Sequence, residues 1–259
     1  MLDRLSHILR DAGALLLERR SRGAFTFERE AASVHASVDI EAHDLLVRGL
    51  AMLTPGVPVL SEEDAASRSA GGRPDKYWLI DPLDGTASFV DGYPGFVTQA
   101  ALMERRRPVL SGVYAPLHEQ MFLAETGAGA TCNGSRCKVE GRPIRESTII
   151  DNYAAPRGVA AELMRAWHIG HYLECGSIGL KVCRIADGTA DLFVKDVTVR
   201  DWDLAAPHLV LEEAGGVLSD ARGQPIPYAG VFERNGVIAC TSSNLSMRLS
   251  AWLRQRETT

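Results

Sequence analysis

Asp81 and Asp84 lie three residues apart in Asp81-Pro82-Leu83-Asp84-Gly85-Thr86, directly after the apolar run Tyr77-Trp78-Leu79-Ile80. The run reads as a buried strand, which places the acidic stretch in a turn at a strand end. Pro82 lacks an N–H and stiffens that turn. Gly85 allows close backbone approach to a ligand, and Thr86 offers a hydroxyl. Two carboxylates forced together repel unless they share a proton or a cation relieves them. A hard divalent cation with oxygen ligands is the natural partner.

Other acids have the order needed to converge on this turn. Glu62-Glu63 follows the short apolar run Val59-Leu60. Asp201-Trp202-Asp203 opens a predicted helix, whose N-terminus favours negative charge. Asp39 stands at the start of another predicted helix, where it can act as a cap. Singly, each has an ordinary reading as a solvated loop or an N-cap; together and in this order they make a set. The D-x-D-x-T motif of haloacid-dehalogenase phosphatases, with acids two apart, is not met. No Ser, Cys or His triad is evident. His35, His43 and His208 are poor partners for a cation that prefers oxygen. The five cysteines are an odd number and read as reduced thiols. Cys132 and Cys137 have no second Cys or His pair to complete a zinc site.

Three segments together resemble the inositol monophosphatase superfamily of Mg²⁺-dependent, lithium-sensitive phosphatases. They are Ser61-Glu62-Glu63, the stretch Trp78 to Phe89, and Trp202-Asp203-Leu204-Ala205-Ala206 with Glu213-Ala214-Gly215-Gly216. Ser61 replaces the usual Gly, Ser88 replaces a common Asn, and Val34–Asp39 matches the family's T-x-x-D element weakly. The resemblance implies a mixed α/β fold, a layered α/β/α/β/α sandwich, in a homodimer. It implies two to three Mg²⁺ ions held by Glu62, Asp81, the Leu83 carbonyl, Asp84 and Asp203. It also implies substrate phosphate on the N–H groups of Gly85 and Thr86. Catalytic roles fall to Glu62, Asp39 and Thr86, with Asp39 orienting Thr86 to help activate the attacking water.

The same resemblance places Gly176, Ser177, Lys181 and Lys195 around the remainder of the substrate, a small phosphorylated metabolite. The Gly-Ser…Leu-Lys pattern is more similar to 3′(2′),5′-bisphosphate nucleotidases, whose substrate carries a second phosphate that a lysine can pair with. An inositol-1-phosphate or other sugar or cyclitol phosphatase is the alternative, with Asp196 near substrate hydroxyls. A catalytically silent ligand-binding member of the fold is another. For Lys181 the ordinary reading is a snorkelling helix residue.

The elements that must position these residues follow from periodicity and punctuation. Helices are predicted over 2–20, 37–52, 160–167, 177–187, 203–214 and 245–254. Strands are predicted over 57–60, 77–80, 96–103, 109–114, 120–125, 149–153, 190–194, 217–218 and 237–240. Residues 65–76 and 127–134 read as loop and turn, and Arg105-Arg106-Arg107 as a solvated hairpin turn. Lobes of 1–145, carrying most metal ligands, and 146–259 are expected. The chain has 259 residues, 46% hydrophobic and 24% charged, which excludes disorder as the main state. With 28 basic against 33 acidic residues the net charge is −5, which argues against a nucleic-acid partner. No run is long enough for a membrane span. The first residues lack a signal-peptide pattern, so a cytoplasmic protein is expected.

Overall fold

The computed structural model describes residues 1–29, 34–64, 72–93 and 95–257. Seven strands form one sheet in sequence order: β3 (Val59–Ser61), β4 (Lys76–Asp84), β5 (Val97–Glu104), β6 (Arg107–Ala115), β7 (Gln120–Glu125), β8 (Gly129–Cys132) and β9 (Ser135–Arg136). All neighbours are antiparallel except β3 and β4. A second sheet of five has the order β11 (His171–Glu174), β10 (Thr148–Asp151), β12 (Leu192–Arg200), β14 (Glu233–Cys240), β13 (Val217–Asp220). A small pair, β1 (Phe27–Arg29) and β2 (Val34–Ala36), precedes the second helix.

Alternation along β4 assigns the layers, because successive side chains of a strand face opposite ways. Trp78 and Ile80 pack with Leu5, Leu9 and Ala12 of α1 (Leu2–Ser21) and with Leu46 and Leu50 of α2 (Ser37–Leu53). Tyr77 and Leu79 join the main core. That core also holds Leu180, Val182 and Ile185 of α5 (Ile178–Ala186) and Leu204, Leu209 and Val210 of α6 (Asp201–Glu213). The far side of α5 and α6 meets the second sheet through Ile150, Phe193, Val237 and Ala239. The outer face of that sheet, with Ile149, Leu192, Val194 and Ile238, is covered by α4 (Gly158–Trp167) and α7 (Ser243–Glu257). The stacking is therefore helix, sheet, helix, sheet, helix, as the resemblance implied. The two sheets divide the chain between Arg136 and Thr148, and one buried core crosses the division.

Most predicted elements stand within a few residues of their bounds. Several differ. The strand after Lys76 runs through the acidic turn to Asp84 instead of stopping at Ile80. Residues 129–132, read as turn, form a strand paired on both sides. β11, β1, β2 and the short helix α3 (Thr86–Val90) were not predicted; each spans three to five residues, too few to show a period. Residues 65–71 of the predicted loop lie outside the described residues. The five cysteines are free thiols. Among the described residues no helix is long and apolar enough to cross a membrane.

Leu46 is fully buried where α2 meets the first sheet. Leu46→Ala is expected to cost about 2–5 kcal/mol of unfolding free energy in urea, without altering the far-UV spectrum of the folded protein.

Candidate active site

Pairing of β3 with β4 in parallel sets Ser61 opposite Ile80, so Glu62 and Asp81 leave neighbouring strands side by side. In a regular strand Asp81 and Asp84, three apart, would face opposite ways. Here Asp81 pairs with Gln99 and Asp84 with Val97, so β4 carries one extra residue across this step. The bulge turns Asp84 back to the face of Asp81. Leu83 is thrown to the other side, into a cluster with Phe89 and Phe96. Asp203 arrives from the opposite layer, on the first turn of α6, where its Oδ2 accepts the Arg200 N–H at 2.8 Å. One carboxylate oxygen each of Glu62, Asp81 and Asp203 lies within 4.8 Å of the others, a group that could hold a metal ion.

The remaining residues ring this cluster. Asp84 accepts the N–H of Gly179 at 2.6 Å and of Ile178 at 3.4 Å, which ties it to the N-terminus of α5. Gly85 has φ +92°, a left-handed backbone that favours glycine. A Cβ there would lie 2.9 Å from the Gly95 carbonyl. Gly95 also abuts Gly176, where a side chain would strike the Gly95 carbonyl and the Ser88 hydroxyl. Ser177 caps α5 by accepting the Leu180 N–H at 2.9 Å. Asp39, in the first turn of α2, is buried; its Oδ2 accepts the Ala36 N–H at 2.8 Å, and its Oδ1 has no hydrogen-bond partner among the described residues. The Thr86 hydroxyl donates to the Leu83 carbonyl at 3.0 Å, and no hydrogen bond joins Thr86 to Asp39 among the described residues.

The two lysines are placed differently from one another. Lys181 is completely buried, and its ammonium donates to the carbonyls of Gly176 at 2.7 Å and Ser177 at 3.2 Å. It therefore holds the loop from beneath, and is neither a surface residue nor a snorkelling one. Lys195 is mostly covered and faces Asp151 at 3.5 Å. Asp196 pairs with Arg256 at 3.1 Å on the surface. Arg200, which sequence reasoning missed, donates to Glu62 at 2.8 Å. Its place directly before Asp201-Trp202-Asp203 was the available signal.

Burial and mutual repulsion set the protonation of the acids. Burial first, then Asp84, Glu62, Asp203 and Asp39, pushes the Asp81 carboxyl well above its usual range. Asp203 moves the same way, from burial and then from Asp84 and Glu62. Burial raises Asp84 to about 6 against the pull of the Gly179 N–H, and raises Asp39 to about 8 with added repulsion from Glu63 and Glu62. Lys181 is pushed down to about 8 by its burial. Converging oxygen donors, of which Asp81 and Asp203 are pushed well above the usual carboxylate range by burial and mutual repulsion, with Asp39 Oδ1 nearby, fit a hard divalent cation.

A family model for the inositol monophosphatase family matches residues 3–257. The chain belongs to the inositol monophosphatase family. The 3′(2′),5′-bisphosphate nucleotidase CysQ of Escherichia coli is 32% identical over 234 residues, covering 88% of this chain and 94% of that protein. The Nus factor SuhB of Xylella fastidiosa is 30% identical over 230 residues, covering 84% and 81%. An IMPase of Thermotoga maritima shares the fold with a TM-score of 0.83 at 24% identity, over 98% of both chains. As a member of the inositol monophosphatase family the chain is a phosphoric monoester hydrolase.

The raised carboxyl groups give the metal-free protein a definite pH response. Asp84 and Asp39 hold protons in the fold at pH values where the unfolded chain, with pKa near 3.8, has released them. The fold thus binds more protons than the unfolded state, and its stability falls as pH rises from about 4 towards 8. Thermal unfolding in chelator should show this decline. Added Mg²⁺ should raise the midpoint more at about pH 8 than at about pH 5.5, and equal shifts at both would contradict the assignment.

Proposed function

We propose that the enzyme is a 3′(2′),5′-bisphosphate nucleotidase that releases the 3′-phosphate of adenosine 3′,5′-bisphosphate to water. The relationship to CysQ, spanning 94% of that protein, carries the reading. The Gly176-Ser177 turn that opens α5, held against the Gly85 turn through Gly95 and from beneath by Lys181, supports it. Glu62, Asp81, Asp84, Asp203 and the Leu83 carbonyl are the groups that would hold Mg²⁺, two to three ions in this reading. Bound there, Mg²⁺ supplies positive charge for the phosphate dianion, an acidified water as nucleophile and stabilisation of the leaving oxygen.

The protein's own groups do the rest. The N–H groups of Gly85 and Thr86 orient the phosphate from the turn that opens α3. The bulge in β4 fixes the separation of Asp81 and Asp84, so the carboxylates need no rearrangement during turnover. With the charge of the neighbouring carboxylates balanced, the Asp39 carboxyl would be ionised and would take up the proton of the attacking water on Oδ1, while the leaving 3′-oxygen would take its proton from solvent. Thr86 relays the water's proton once its hydroxyl turns from the Leu83 carbonyl towards the nucleophile. Gly176 and Ser177 line the path to the leaving group, shaped by Lys181 beneath, and Lys195 meets the second phosphate. The working form is a cytoplasmic homodimer, which light scattering tests.

An inositol-phosphate phosphatase is the second reading, favoured by the similarity to SuhB at 30% identity. Phosphate release with Mg²⁺ from adenosine 3′,5′-bisphosphate and from inositol 1-phosphate separates the two. The nucleotide should be preferred in kcat/KM by more than about 100-fold, equal to roughly 2.7 kcal/mol of transition-state binding. The opposite preference would favour the inositol-phosphate reading, but not through Asp196, which the structure turns to the outer face of the second sheet against Arg256. Asp84→Asn should lower kcat at least about a hundredfold. Asp39→Asn should lower kcat while leaving Mg²⁺ affinity nearly intact, and a wild-type kcat would remove Asp39 from the mechanism.

A further inference from the structure

The residue two before Asp203 is a completely buried carboxylate held by two guanidinium groups. Asp201 Oδ2 lies 2.6 Å from Arg73 Nη2, and Arg234 makes a forked pair with it, Nε to Oδ1 and Nη2 to Oδ2, both at 3.0 Å. The two arginines are themselves anchored. Arg73 lies over the Phe232 ring at 3.9 Å and donates to the carbonyls of Gly230 and Val231. Arg234 donates to the Ala229 carbonyl at 2.9 Å. The Asp201 N–H donates to the Phe232 carbonyl at 2.9 Å, and the Phe232 ring packs on Trp202. Gln99 completes the turn by donating to the carbonyls of Trp202 and Asp203 at 3.0 and 3.3 Å.

Such a clamp is a poor device for stability alone. Desolvating three charges cancels most of their attraction, and apolar residues of similar size commonly do as well. What the clamp does supply is direction. A forked arginine fixes a carboxylate in position and orientation. The first turn of a helix frays unless it is held; at the start of α6 the Arg200 side chain gives no cap, and the Arg200 N–H is held, among the described residues, only by Asp203 Oδ2, the carboxylate whose aim is in question. A metal-ligating side chain must be kept within about 0.5 Å of its working position. We propose that Asp201, gripped by Arg73 and Arg234, is a positioning residue that fixes the first turn of α6 and so aims Asp203 at the divalent cation. The proposal rests on Asp203 being a cation ligand.

Mg²⁺ binding to the purified protein by isothermal titration calorimetry, with the thermal midpoint of the metal-free form, tests it. Asp201→Asn should weaken Mg²⁺ binding by at least about tenfold. Leu209→Ala, a buried apolar position on the same helix, should lower the midpoint and leave Mg²⁺ affinity within about twofold. Wild-type Mg²⁺ affinity in Asp201→Asn would overturn the proposal, as would an equal loss of affinity in Leu209→Ala. Should Asp201→Asn not fold, Arg73→Lys and Arg234→Lys keep the charge and lose the planar fork. Weakened Mg²⁺ binding in them supports the clamp, and unchanged binding in both overturns it. Asp203→Asn run alongside separates the two ideas. If it leaves Mg²⁺ binding intact, the ligand reading falls and the clamp with it. If it weakens binding while Asp201→Asn does not, only the clamp falls.

Discussion

Like charges brought close in a dry place govern this molecule. At the 4.8 Å separation within which oxygens of Glu62, Asp81 and Asp203 meet, two full negative charges repel by roughly 3–4 kcal/mol at an effective dielectric near 20. Three such pairs, with Asp84 adjoining, would consume much of a typical domain's stability of about 5–15 kcal/mol. The cluster therefore exists only with protons or cations to balance it, and the scaffold is built to supply the surroundings in which either can act.

That scaffold uses partial compensation in place of neutralisation. The helix α5 turns its N-terminal N–H groups on Asp84. Arg200 reaches Glu62 with its side chain and Asp203 with its backbone N–H. Lys181 places a buried ammonium under the Gly176 loop. Each contact stabilises one carboxylate or one turn without filling the space between the acids. The chemistry of the family then needs only a small, hard ion to complete the balance, and a sheet on each side of the α5–α6 layer keeps the geometry stiff while it does so.

How far the sequence foretold this depends on what kind of signal each residue leaves. That the acids converge was legible from their co-occurrence and order along the chain, which carried the resemblance to the family; singly each read as a loop residue or a cap. The bulge between Asp81 and Asp84 was legible only as a spacing that a regular strand cannot accommodate on one face. Lys181 was harder: α5 lies between two sheets, so nearly all its positions are buried, and periodicity cannot separate an inner lysine from a solvated one. The Thr86 hydroxyl turned to Leu83 instead of Asp39 is a rotamer choice and leaves no trace in sequence. The grip of Arg73 and Arg234 on Asp201 joins residues far apart in the chain through a contact that no local pattern encodes. Short strands such as β11 are likewise made by their neighbours in the sheet.

The acids of the site come from both sheets' territory, Asp39 to Asp84 from the first and Asp203 from the helix that enters after β12. Synthesis on the ribosome meets them in that order. A nascent chain that has completed the first sheet already concentrates Glu62, Asp81 and Asp84 at one edge, yet lacks the α5 and α6 layer that covers them. Until that layer emerges, the acids remain hydrated and their repulsion is screened by water and salt. The ligand set is therefore whole only where α5 and α6 are docked on the first sheet, and no fragment ending before α6 contains it.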